Sequence, residues 1–169
     1  MVLGMPLKTY TLIHVVISLI AIVLGVIVLI GMMRAKKLER LTWYFLVTTA
    51  FTSITGFGFG LDPLLPSHIV GLISLTVLVI AIVARYVMGM AGKSRAIYVI
   101  TAVIALYLNV FVLVVQGFEK VAALKALAPT QKEPPFLIAQ LVVMALFVVL
   151  GILAVKKFRP VQDTLARAA

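Results

Sequence analysis

The chain has 169 residues, of which 64% are apolar and only 12% charged, and its formal net charge is +10. A soluble domain is about half apolar and about a quarter charged, so this composition excludes an ordinary water-soluble fold. Cysteine is absent, which excludes disulfides, thiolate catalysis and cysteine-held iron–sulfur clusters.

Five apolar runs of roughly twenty residues each are long enough to cross a bilayer. Lipid offers the backbone no hydrogen-bond partner, so each run must satisfy its own amides as a helix. The alternating segments of roughly ten residues that build a β-barrel do not occur. The expected fold class is therefore all-α: a polytopic membrane protein, one domain over 1–169, folded as a five-transmembrane-helix bundle.

The first span covers about 10–33. It exceeds the core of a signal peptide and is expected to stay as an anchor. His14, Ser18, Ala21 and Gly25 follow the 4-3-4 spacing of one helix face, small and polar enough to admit a close neighbour. A loop with four positive charges, from Arg34 to Arg40, leads into span two, about 41–60, the least apolar of the five. Trp43 and Tyr44 stand at its start, as interface aromatics do. Thr48, Thr52 and Thr55 share a face, and Gly56, Gly58 and Gly60 close the span.

A short turn containing Asp62, Pro63 and Pro66 precedes span three, about 67–88. His68, Gly71, Ser74, Ala81 and Arg85 fall along one face of it. Arg85, near the inner end, is expected to snorkel to the lipid headgroups. After a second basic loop, span four covers about 96–116, with Tyr98, Thr101, Ala105, Asn109 and Gln116 in one stripe. Residues 120–127 read as a short surface helix. It stops there because Ala128, ahead of Pro129, is pushed out of the helical region. Span five covers about 135–155, with Gln140, Met144, Phe147 and Gly151 on one side. The tail beginning at Lys156 is expected to leave the membrane.

Eleven lysines and arginines flank one set of span ends and four flank the other. By the positive-inside rule the first set is cytoplasmic, which puts the N-terminus outside and the C-terminus inside. Basic side chains so placed meet anionic lipid at the cytoplasmic face, and this accounts for the charge without nucleic acid. In this orientation His14, His68, Asn109, Gln116 and Gln140 all lie toward the outer leaflet, and the inner halves of the spans read as plain apolar.

Those five residues form the candidate ligand-binding set, with Glu119 and Lys120 at its rim. Polar amides inside a span face protein or a cavity. Asn109 therefore either meets a ligand's polar head, such as a quinone carbonyl, or bonds one helix to another. His14 and His68, two helical imidazoles at similar depth, also suit a b-type haem or part of a metal site; the competing reading gives each a bond to a neighbouring helix. Glu119, Lys120 and Glu133 form an interface ion-pair group of little energetic weight. No span contains Asp or Glu, which argues against proton relays and cation-coupled transport. No phosphate-binding glycine loop, HExxH or nucleophile set is present, so catalysis is not expected. The leading expectation is a non-catalytic accessory or small-ligand-binding component for a lipid, quinone-like or other amphipathic molecule. Its partners are membrane lipids and a larger membrane complex or a homo-oligomer. The alternatives are electron transfer through haem b and small-molecule transport.

The segment ALYLNVFVLVVQGFEK, from Ala105 to Lys120, with LAPTQKEPPF, from Leu127 to Phe136, resembles a group of small, uncharacterised multi-pass inner-membrane proteins of bacteria. The piece from Gly117 to Lys120 is also similar to DoxX-like membrane proteins, which typically have four spans. The resemblance implies a location and a fold, a multi-pass protein of a bacterial inner membrane, and brings no reaction or functional residue with it.

Overall fold

The structure, a computed structural model, describes residue 2, residues 4–60 and residues 66–159. The turn read at Asp62 and Pro63, and the tail past Arg159 with Arg167, lie outside the described residues. The described chain is helical: α1 Leu7–Met33, α2 Glu39–Gly56, α3 Pro66–Ile82, α4 Lys93–Lys120, α5 Ala122–Leu127 and α6 Pro134–Lys157. A 3-10 turn, Phe57–Phe59, extends α2, and a π-helical turn, Val83–Val87, extends α3.

Among the described residues, four helices are long and apolar enough to cross a membrane: Leu7–Met33, Ser67–Val87, Lys93–Lys120 and Pro134–Lys157. The second of the five runs read from sequence differs from these. It folds as a helix of 18 residues that opens on Glu39 and Arg40 and carries five threonines and a serine. The chain is thus an all-helical membrane bundle.

Contacts between distant residues set the directions of the helices. The start of α1 meets the end of α2, where Tyr10 Oη donates to the Thr55 carbonyl at 2.7 Å. The end of α3 meets the start of α2 through Arg85 and Glu39. The start of α4 meets the end of α6, where Arg95 Nη1 donates to the Val155 carbonyl at 3.0 Å and to the Phe158 carbonyl. Helix α4 lies at the centre, packed on α1, α2, α3 and α6, while α6 packs chiefly on α4 and, less, on α1.

Small residues let the helices approach. Ala21, Ala81 and Ala105 have no exposed surface, as expected where packing rather than hydrophobic exclusion joins helices in lipid. Gly25 is required by its neighbours: a Cβ there would fall 2.5 Å from Leu106 Cδ1 and 2.8 Å from Phe45 Cε2.

The helix faces read from spacing hold for α1 and α3, where Ala21 and Gly25, and then His68, Ser74, Ala81 and Arg85, are buried. The face of α2 that carries Thr48, Thr52 and Thr55 is half-buried. Thr42, Phe45, Leu46, Thr49 and Ser53 are the residues buried from this helix. Thr48, Thr52 and Thr55 donate to carbonyls of their own helix, at Tyr44, Thr48 and Phe51, the usual outlet for a hydroxyl inside a helix. The tail at Lys156 also departs from expectation. Phe158 folds back to full burial, 6.2 Å from the Tyr98 ring, and the Arg95 bonds secure it.

Candidate functional site

At the end of the bundle where α1 begins, His14 Nδ1 lies 2.8 Å from Thr55 Oγ1. The one hydroxyl proton of Thr55 is directed to the Phe51 carbonyl, 2.6 Å away. This assigns Nδ1 of His14 as the donor and leaves Nε2 as the lone-pair nitrogen. The ring is half-buried and meets Phe59 edge-on at 5.1 Å. His68 is buried on α3 and stacks on Phe57 at 5.7 Å. Both imidazoles therefore border the segment that ends α2, and both lie opposite the arginine-rich end. No group of three His, Asp or Glu side chains suited to a metal ion occurs among the described residues.

The other members of the predicted set go to separate partners. Asn109 Nδ2 donates to Thr49 Oγ1 at 3.3 Å, and both groups are buried. Gln140 Nε2 donates to the Phe111 carbonyl at 3.2 Å, while its Oε1 is buried without a hydrogen bond. Gln116 is exposed and reaches Glu119 at 3.4 Å, so it belongs to the rim rather than to an interior site. Glu119 and Lys120 pair at 3.5 Å in the open. In the structure the polar groups expected to share a site among the first, third, fourth and fifth apolar runs are bonded in pairs. Several of these run to α2, which the sequence reading had left out of the site. Ser53 and Ser74, hydrogen-bonded at 3.0 Å, add another such pair.

In the connection before α6, Glu133 accepts bonds from the Thr130 hydroxyl at 2.8 Å and the Lys132 amide at 3.0 Å. Desolvation works to raise its pKa, but these bonds to the charged form together outweigh it and hold the carboxyl below its usual value.

The opposite end overturns two expectations. Arg85 does not snorkel: its side chain is 1% exposed, and Nη2 meets Glu39 Oε2 at 2.6 Å. Nη2 also donates to the Lys37 carbonyl at 3.3 Å, and Cζ lies 4.8 Å from the Tyr98 ring centre. The guanidinium stays inside because it finds there a carboxylate, a carbonyl and an aromatic face, which together replace its water. The arginine-rich half of the bundle, read from sequence as plain apolar, is consequently not so. Sequence reading had Arg85 on the buried stripe of α3, but had no signal to pair it with Glu39.

A groove of about 580 Å³ opens between α4 and α6, from this same end to about the middle of the bundle. Ile104, Tyr107 and Leu108 line it from α4, and Met144, Val148 and Ile152 from α6, with Lys156 at its end. Its volume lies in the range of small-molecule sites, about 300–1,000 Å³. On α6 the lining runs from Met144 to Lys156, about 18 Å at 1.5 Å per residue. One leaflet of a hydrocarbon core about 30 Å thick is about 15 Å deep. Of the five predicted residues, Asn109 stands nearest along the chain, next to Leu108, and Gln140 lies one helical turn before Met144. Such a groove can hold an extended apolar chain, with a polar group at the lysine. Comparison of the chain with protein-family models, curated proteins and solved structures finds no match.

Proposed function

We propose that this chain is a five-span protein of a bacterial inner membrane that binds a small amphipathic molecule, lipid or quinone-like, and performs no chemistry of its own. The observation carrying this reading is the groove between α4 and α6, apolar along its length and ending at Lys156. Hydrophobic walls with one placed polar group are the usual make-up of a small-molecule site.

Treating α2 as the fifth span is supported by its length and its neighbours. Its 18 residues rise about 27 Å, and the 3-10 turn adds about 6 Å. Its two ends are tied to the ends of α1 and α3 that lie at matching levels. The gathering of Arg34, Lys36, Lys37, Arg40, Arg95 and Lys156 at one end supports a cytoplasmic C-terminus and an outside N-terminus. Because the chain has no cysteine, single cysteines report topology cleanly. Lys132→Cys should react with an impermeant maleimide on intact cells and Lys36→Cys should not; the reverse pattern overturns the orientation.

Native mass spectrometry of the chain extracted in mild detergent tests the binding. The expected spectrum shows the chain with one small organic adduct. A bare chain from every detergent tried sinks the reading, and a Soret band in the visible spectrum replaces it with electron transfer through His14 and His68.

A further inference from the structure

Resting on that reading, we infer that the groove's occupant is an anionic glycerophospholipid of the leaflet at the arginine-rich end, its acyl chain lying between α4 and α6 and its phosphate at Lys156.

Three observations converge on this occupant. First, the groove is about as long as one leaflet is deep and runs from Lys156 at the arginine-rich end to Met144 on α6 and Leu108 on α4, near the middle of the bundle. Its polar end therefore opens to the leaflet at the arginine-rich end. Second, cations gather at its mouth. Lys156 lines it, and Lys93 stands seven residues before Ile100, two turns down the same face of α4. Arg95 places its guanidinium on the last carbonyls of α6, beside Val155, which also lines the groove. Third, the one carboxylate described at this end, Glu39, is already paired with Arg85. A phosphate is the group that three cations at a membrane surface, with no second carboxylate beside them among the described residues, will hold.

The groove also keeps its shape without an occupant. Helix α6 is pinned beyond both ends of it: Phe158 and Arg95 hold one side, and the edge-on pair Phe118–Phe136 at 5.4 Å holds the other. Gly151 leaves the floor open, since a Cβ there would only touch Val103 Cγ1 at 3.4 Å.

The test reconstitutes the full chain in vesicles of equal parts phosphatidylglycerol and phosphatidylethanolamine, extracts it in mild detergent, and reads retained lipid by native mass spectrometry. The expected result is one retained lipid per chain, with phosphatidylglycerol preferred. Lys156→Ala and Lys93→Ala should each reduce that preference about fivefold, the weight of one basic residue near an anionic surface. Gly151→Leu should abolish retention by filling the floor. Should that variant fail to fold, Val148→Trp, at a lining position that is 56% exposed, blocks the groove without entering the core. Retention without headgroup preference overturns this inference and leaves the amphipath reading standing. Headgroup preference that survives Val148→Trp also overturns it, because the cations then act outside the groove. No retained lipid overturns this inference and leaves the quinone-like form of the amphipath reading, which the native extract tests.

Discussion

At the arginine-rich end a single charge is buried behind one carboxylate, whereas at the histidine end neutral groups are bonded in pairs across helices. Arg85 is enclosed and its partner Glu39 is 61% exposed. Asn109 with Thr49, His14 with Thr55 and Ser53 with Ser74 are instead matched neutral groups. The difference teaches where each arrangement is vulnerable. Removing one member of a neutral pair leaves a dipole that can find another acceptor. Removing Glu39 leaves a full charge in a space that water does not reach.

The largest effect should therefore come from Glu39→Ala. Breaking a fully buried ion pair costs about 3–5 kcal/mol, and the exposure of Glu39 lowers the expected loss to about 2–3 kcal/mol. Unfolding by sodium dodecyl sulfate in mixed micelles reads it. The double variant Glu39→Ala with Arg85→Met should be more stable than Glu39→Ala alone, since the charge goes with its partner. A single-variant loss within about 0.5 kcal/mol would reduce this pair to a surface contact and erase the contrast between the ends.

Next in size is Gly25→Ala, in the layer between the two ends. The added Cβ meets the buried Leu106 and Phe45 side chains, and overpacking of this kind costs about 1–3 kcal/mol in the same assay. A neutral result would mean that the middle layer yields, and that the ends are not rigidly joined. At the histidine end, Asn109→Leu and Thr55→Val should each cost about 0.6 kcal/mol and no more than about 1.7 kcal/mol, the measured span for hydrogen bonds between membrane helices. A loss as large as that of Glu39→Ala would show that the neutral pairs carry as much as the charged one.

The smallest effect concerns pH. The Glu133 carboxyl titrates below its usual value because of its bonds from Thr130 and Lys132. A depressed folded pKa means that the turn is fully favoured above the ordinary carboxylate pKa and loses that support as pH falls through the lower value. Amide exchange at Thr130 and Lys132, corrected for the intrinsic pH dependence, should quicken on acidification in the wild type. It should be pH-insensitive in Glu133→Gln.

Much of this architecture was legible because lipid simplifies the rules. A run of about twenty apolar residues has no alternative to a helix, and the stop of α5 at Leu127 follows from Pro129. The stripe containing His68, Ser74, Ala81 and Arg85 was also legible from spacing, since Cβ direction repeats with the helix. What spacing could not reveal was where the Arg85 guanidinium goes. Snorkelling and burial start from the same position on the helix, and the choice depends on Glu39, 46 residues away. The α2 face was legible only in part for a related reason. Spacing puts Thr48, Thr52 and Thr55 on one face, but their hydroxyls donate within their own helix, and the neighbour that meets Thr55, His14, stands 41 residues away. The groove was hidden because its walls are ordinary aliphatic residues. Only the closeness of α4 and α6, fixed by Phe158 folding back, distinguishes them from residues that simply face lipid.

Trp43 stands one helical turn after Glu39, 52% exposed, with Tyr44 edge-on at 5.1 Å. It is the one tryptophan in the chain. Every molecule therefore carries a single indole, at the boundary nearest Arg85. Quenching by lipids brominated at successive carbons can read how deep that boundary sits, with no label attached and nothing else emitting at its wavelength.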